Sequence, residues 1–162
     1  MYKVKVAIIS LLVLLAVLII ATSVKAELAL VTRVIDGDTI EVTLSGKTES
    51  IRLYGIDAPE KKQAYGLSAK DFVEVMVGGK MVDILLVGGK DRYERPVAIV
   101  MYGTQNLQEQ LLLAGYAWVY PQYCRKSFCT AWSTLQGISA GNRVGLWASP
   151  APVRPWEWRK AQ

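Results

Sequence analysis

No histidine occurs anywhere in the 162 residues. This removes the side chain most often used as a general base near neutral pH. Proton transfer must fall to a carboxylate, lysine, tyrosine or cysteine. Cysteine is scarce as well: the chain has only Cys124 and Cys129, with four residues between them. Two thiols without imidazole partners cannot complete a four-ligand zinc site. In an exported chain they read instead as a local disulfide closing a small loop. So short a loop removes little chain entropy, so it is expected to pin local structure rather than to hold the fold together. Internal repeats and low-complexity tracts are absent too, which argues against solenoid and disordered architectures.

A large net charge is also missing once the N-terminus is set aside. Lys3 and Lys5 precede Ala7 to Ala21, a run of 15 residues in which only Ser10 is polar. Val24 and Ala26 then offer short side chains at the −3 and −1 positions of a cleavage site. Charged start, apolar middle and small-residue exit are the parts of a secretory signal, assigned to residues 1–26. The alternative is an uncleaved anchor, because the 19 uncharged residues from Val6 to Val24 are close to the minimum for a membrane span. Either reading predicts an exported domain, periplasmic or secreted, or tethered to the outer side of the inner membrane. The whole chain has 19 basic and 14 acidic residues; without Lys3, Lys5 and Lys25 it has 16 basic ones, a net charge of +2. Overall basicity is therefore a poor argument for a nucleic-acid partner, and any such case rests on placed residues. The remaining 136 residues suffice for one compact core.

Hydrophobic patterning predicts strands at residues 28–35, 39–44 and 48–54, an antiparallel meander with Asp36-Gly37 at its first turn. A helix follows over residues 64–77, with Leu67, Phe72, Val73 and Met76 as inward candidates and Gly78-Gly79 as its stop. Strands are predicted at residues 81–87 and 95–102, the second so continuously apolar that burial on both faces is expected. Helices are predicted at residues 106–114 and 131–142. The tail from Pro150 holds three of the six prolines and two of the five tryptophans, and is expected to pack on the domain formed by residues 27–149. This order, three hairpin-linked strands, a helix and two more strands, predicts an α+β protein. Its expected form is a five-stranded Greek-key barrel of the oligonucleotide-binding (OB) type with about three helices.

Three charged motifs interrupt these apolar runs: Asp36-Gly37-Asp38-Thr39, then Arg52 with Asp57-Ala58-Pro59-Glu60, then Asp91-Arg92-Tyr93-Glu94-Arg95. Each has an ordinary structural reading as a turn, a helix cap or a solvated hairpin tip. Together they have a chemical one. Asp38 and Asp57 could meet at one end of the meander, and two carboxylates with a backbone carbonyl and waters suit Ca²⁺. Arginines on strand ends suit phosphate, and Tyr93 offers a stacking surface.

The order and spacing of these residues resemble the staphylococcal nuclease (thermonuclease) family. The resemblance extends from about Leu28 to Trp147 through Tyr65-Gly66, Asp91-Arg92-Tyr93-x-Arg95, Leu112 to Ala117 and Gly145-Leu146-Trp147. It implies the same OB barrel and a Ca²⁺-dependent phosphodiesterase that cleaves single-stranded or frayed DNA and RNA with little sequence preference. Asp38 and Asp57 would be calcium ligands, with the backbone carbonyl of Ala58. Glu60 would be the general base, or orient the attacking water. Arg52 and Arg95 would clamp the phosphate, and Arg92 and Tyr93 would line the substrate site. A monomer without a protein partner is expected. The chain departs from the family at Glu94, where glycine is usual, and at Pro96. A glutamate there is disfavoured at φ > 0 and adds a negative charge beside Arg95, so Arg95 is expected to be displaced or partly neutralised. Tyr120 and Tyr123 are further candidates for nucleotide contact. The competing function is a non-catalytic binding module on the same barrel, against which the complete set of acids and arginines argues.

Overall fold

The computed structural model describes residues 26–162; the targeting segment assigned above lies outside them, apart from Ala26. Strands β1 (Ala26–Val34), β2 (Thr39–Leu44) and β3 (Lys47–Leu53) form the antiparallel meander. Strand β1 also pairs with β5 (Met81–Lys90), which folds back on β6 (Pro96–Tyr102). Strand β6 then runs parallel to β3, with Arg52 opposite Val97 and Leu53 opposite Ala98. That last pairing closes five strands into a mixed barrel, the OB architecture expected from the pattern. Alternate residues fill it: Val31, Ile40, Val42, Ile51, Leu53, Ile84, Ala98 and Val100 are all buried.

Three short strands escape the patterning. β4 (Ile56–Asp57) pairs with β8 (Trp118–Val119), while β7 (Gln105–Asn106) pairs with the end of β6. Each is two residues long, too short for any periodicity to show. The continuous apolar run in β6 is fully buried on one face only: Ala98 and Val100 are enclosed, while Val97, Ile99 and Met101 are half-covered.

Four α-helices lie among the described residues, one more than expected: α1 (Gly66–Val77), α2 (Leu107–Leu113), α3 (Cys129–Gly141) and α4 (Pro155–Lys160). In α1 the buried stripe is Gly66, Ala69, Val73 and Val77. Leu67, predicted to face inward, is exposed, because the helix starts pressed against the Glu60 carbonyl and that contact sets its rotation. A Cβ at Gly66 would come within 1.9 Å of the Glu60 oxygen, so no other residue fits there. Helix α2 begins at Asn106, whose side chain caps the Glu109 N–H at 3.2 Å. Cys124 and Cys129 are joined in a disulfide at the entry to α3. The tail crosses back over the barrel and ends in α4, which has proline at its first position.

Candidate active site

The meander's first turn sets the position of the first two acids. Residues 35–38 link β1 to β2, and the Asp36 side chain accepts the Asp38 N–H at 3.1 Å. A Cβ on Gly37 would come within 2.7 Å of the Cβ atoms of Ala58 and Ala69. Glycine thus lets this turn settle directly on the segment that carries Asp57 to Glu60. Contact follows at once: the Ala58 N–H donates to Asp38 Oδ2 at 2.7 Å. Arg52, at the end of β3, completes the junction. Its Nη2 lies 3.2 Å from Asp38 Oδ2 and 3.0 Å from Asp57 Oδ1. Asp38 and Asp57 are both buried, Asp57 to 2 % exposure.

These groups line a cleft of about 860 Å³ shared by Asp36, Glu60, Arg92, Tyr93 and Arg95. Every residue predicted for catalysis, metal binding or substrate contact therefore lies around one opening. Glu60 is half-exposed and turns its carboxylate toward Asp57 through a shared arginine, described below. Arg95 sits across the cleft, its guanidinium bonded to Asp91 at 2.6–2.8 Å and to Thr39 Oγ1 at 3.2 Å. Tyr93 has Arg92 at 4.7 Å and Arg95 at 5.2 Å over its ring, which holds the aromatic face beside both cations. Tyr120 and Tyr123 form an opposite wall, ring centroids 4.7 Å apart.

Two details differ from expectation. Glu94 does adopt the left-handed backbone, at φ 60°, but its side chain points to solvent and pairs with Lys90 at 3.5 Å. Arg95 is neutralised by Asp91 rather than disturbed by Glu94. The other difference is a residue the motifs missed. Arg159, in α4, donates to Asp57 Oδ2 at 2.8 Å and to Glu60 Oε1 at 2.7 Å. Proline followed by alternating aromatic and charged residues in Pro155-Trp156-Glu157-Trp158-Arg159 could have signalled a helix start, yet nothing local says that it ends in the cleft.

Burial, reinforced by the charge of Asp38, pushes Asp57 up to about 6, despite hydrogen bonds and charge from Arg159 and Arg52. The same two causes push Asp36 up to about 6. The acids are thus crowded beyond what their arginines relieve. Asp36, Asp38, Asp57 and Glu60 gather around the guanidiniums of Arg52 and Arg159, while Lys90, Arg92, Arg95 and Lys160 line other parts of the same cleft. Among the described residues no group of three acidic or cysteine side chains is arranged to cage an ion on its own. The all-oxygen donor set offered by the paired carboxylates of Asp38 and Asp57 fits a hard divalent cation that keeps part of its water shell.

A family model described as staphylococcal nuclease homologue matches residues 50–149. A protein of Escherichia coli O157:H7 described as an uncharacterized endonuclease is 42 % identical over 130 residues, covering 80 % of this chain and 82 % of that one. The chain belongs to the staphylococcal nuclease family. A Haemophilus influenzae protein, also described as an uncharacterized endonuclease, is 38 % identical, covering 82 % of this chain and 72 % of its own. The staphylococcal-like nuclease CAN1 of Arabidopsis thaliana is 43 % identical over 110 residues, 68 % of this chain and 33 % of that longer protein. The enzyme class is that of the family, a nuclease acting on phosphodiester bonds. Within the matched span lie Arg52, Asp57, Glu60 and Arg95.

Proposed function

We propose that this chain is an exported, calcium-dependent nuclease that hydrolyses DNA and RNA with little regard to base sequence. The observation that carries the reading is the Arg52 bridge between two buried carboxylates, Asp38 and Asp57, at the floor of a cleft walled by further arginines and tyrosines. A buried acidic pair held by one arginine is costly to build for stability alone, and beside phosphate-binding cations it has a chemical use.

Asp38 and Asp57 would hold the ion, with the Ala58 carbonyl as a third oxygen; the described contact at Ala58 is that of its N–H. When bound, calcium supplies positive charge beside the scissile phosphate and a place to orient water. Arg52 and Arg95 would hold the non-bridging phosphate oxygens and oppose the extra negative charge of the five-coordinate transition state. Arg95 can exchange its bond to Asp91 for phosphate without leaving the cleft. Glu60 would take the proton as water attacks phosphorus. The new P–O bond forms as the bond to the leaving 5′ oxygen breaks, and that oxygen takes a proton from solvent. The products would carry 3′-phosphate and 5′-hydroxyl ends.

Recognition through phosphate, with the exposed Tyr93 and Tyr123 offering stacking surfaces that accept any base (Tyr120 is already stacked on Trp156), would account for little sequence preference. It also favours single strands or frayed ends, whose bases are free to stack. Hydrolysis of a labelled single-stranded oligonucleotide, with Ca²⁺ or with chelator, tests the reading. Cleavage that needs Ca²⁺ supports it, and equal rates in both conditions would remove the metal from it. N-terminal sequencing of the exported protein is expected to give a start near Glu27.

A further inference from the structure

Glu60 presents its carboxylate to the cleft with a single hydrogen-bonding partner among the described residues, Arg159. A general base that moves freely meets the attacking water from many directions, few of them suited to taking its proton. Its orientation therefore depends on whatever holds it, and that group comes from the far end of the chain. Nη1 of Arg159 donates to Glu60 Oε1 at 2.7 Å and to Asp57 Oδ1 at 3.3 Å, while Nη2 donates to Asp57 Oδ2 at 2.8 Å. Asp57 is almost fully enclosed and is gripped from its other side by Arg52. The fork thus ties a half-exposed carboxylate to a fixed one.

The helix that carries the fork is itself docked. Trp156 stacks on Tyr120 in parallel, with ring centroids 4.7 Å apart. Arg154 lies 5.4 Å over the ring of Trp118. The buried Gln63 donates to the Val153 carbonyl at 2.7 Å while its own side-chain oxygen accepts the Glu60 N–H at 3.2 Å. Tail and base-bearing loop are therefore fastened to each other twice, once through the backbone by Gln63 and once through the side chains by Arg159.

We propose that Arg159 is a positioning residue of the active site, one that bridges Glu60 to Asp57 and fixes the direction from which the Glu60 carboxylate meets the attacking water. This rests on the reading of Glu60 as the base. Arg159 is the one group that hydrogen-bonds the Glu60 carboxylate among the described residues, so its proposed action runs through Glu60. A short α4 of six residues is thereby part of the catalytic machinery rather than a cover for the barrel.

The test is a double-mutant cycle in the full chain with Ca²⁺ and a single-stranded oligonucleotide. Arg159→Ala is expected to lower kcat by about 10- to 100-fold with KM changed less than about twofold. In a Glu60→Gln background the same change is expected to cost less than about twofold further, since there is no base left to position. Arg159→Lys, which keeps the charge but cannot fork, is measured alongside because the alanine variant also strips a partner from Asp57; partial recovery is expected. Ca²⁺ binding to Arg159→Ala, by titration calorimetry without substrate, should stay within about threefold of wild type. An undiminished loss in the Glu60→Gln background would overturn the proposal, as would calcium binding weakened tenfold, because Arg159 would then act through Asp57. Unchanged or raised kcat in Arg159→Ala would overturn it too. A wild type that does not cleave would overturn the nuclease reading and this proposal together, whereas an active wild type with an indifferent Arg159 overturns this proposal alone.

Discussion

Arg95 and its neighbour Glu94 show how much one side chain's surroundings decide. Arg95 is held by Asp91 and Thr39 at the lip of the cleft, where the proposed mechanism has it meet phosphate. Arg95→Ala is expected to lower kcat by about 10²- to 10³-fold, the usual result of removing one preorganised donor to developing charge, read from initial rates at saturating substrate. Glu94 stands in the left-handed region at φ 60°, where a side chain costs about 1–2 kcal/mol per residue. Glu94→Gly relieves that strain but loosens the unfolded chain, so a net gain of about 0.5 kcal/mol is expected in urea unfolding. Activity should be unchanged by it, because Glu94 faces Lys90 and solvent and not Arg95. A large rate increase in Glu94→Gly would show that its charge does reach the phosphate site.

At the scale of elements, the β5–β6 turn is organised by Asp91. One of its oxygens accepts the N–H groups of Tyr93 and Arg95 at 2.9 and 3.0 Å, and the other takes the Arg95 guanidinium. Partial burial works against this anion, but the hydrogen bonds from Arg95 and Tyr93 outweigh it and hold the carboxyl below its ordinary value of 3.8. A carboxyl with a depressed folded pKa contributes stability that is complete above about 3.8 and is lost as pH falls through its lower folded value. Asp91→Asn is therefore expected to lower Tm measurably at pH 7 and by progressively less as pH falls below about 3.8, followed by circular dichroism. An equal drop at every pH would mean that the turn, not the charge, is what Asp91 supports.

Elements with their own period or turn chemistry were legible in the sequence: the meander, the long strands and the first three helices fell within a few residues of where patterning put them. The rest depended on contacts remote in sequence. β4 and β8 exist because Gly55 to Asp57 meets Trp118 to Tyr120 across 60 residues of chain, with the Tyr120 N–H bonded to the Gly55 carbonyl at 2.9 Å. Leu67 turned outward because Gly66 is jammed against Glu60. The acids and arginines of the cleft could be named from spacing because they sit at strand ends that one barrel end gathers. Arg159 could not, since its position is set by an aromatic stack on Tyr120 that no local pattern encodes.

For the molecule as a whole, the parallel pairing of β3 with β6 does the most for function. It closes the barrel and places Arg52 opposite Val97, two residues beyond Arg95, so the two arginines proposed to bind phosphate are braced by the same strand contact. By bringing Asp38 and Asp57 together, the fold should make the domain a better host for a divalent ion than the unfolded chain. Ca²⁺ at about 100 times its Kd should therefore stabilise the domain by about 2.7 kcal/mol, seen as a rise in Tm that a chelator reverses. Asp57→Asn should abolish most of that rise; a rise that survives it would place the ion elsewhere.

On the proposed mechanism, this cleft hydrolyses phosphodiesters with calcium held by Asp38 and Asp57 and with Glu60 as base. Single-turnover cleavage of a single-stranded DNA by wild type and by Glu60→Gln, each with Ca²⁺ and with chelator, tests it most directly when oligonucleotide binding is measured in parallel. Rapid cleavage is expected only for wild type with Ca²⁺, with a loss of at least about 10²-fold in Glu60→Gln and binding retained. Cleavage by Glu60→Gln at the wild-type rate, or by wild type in chelator, would contradict it.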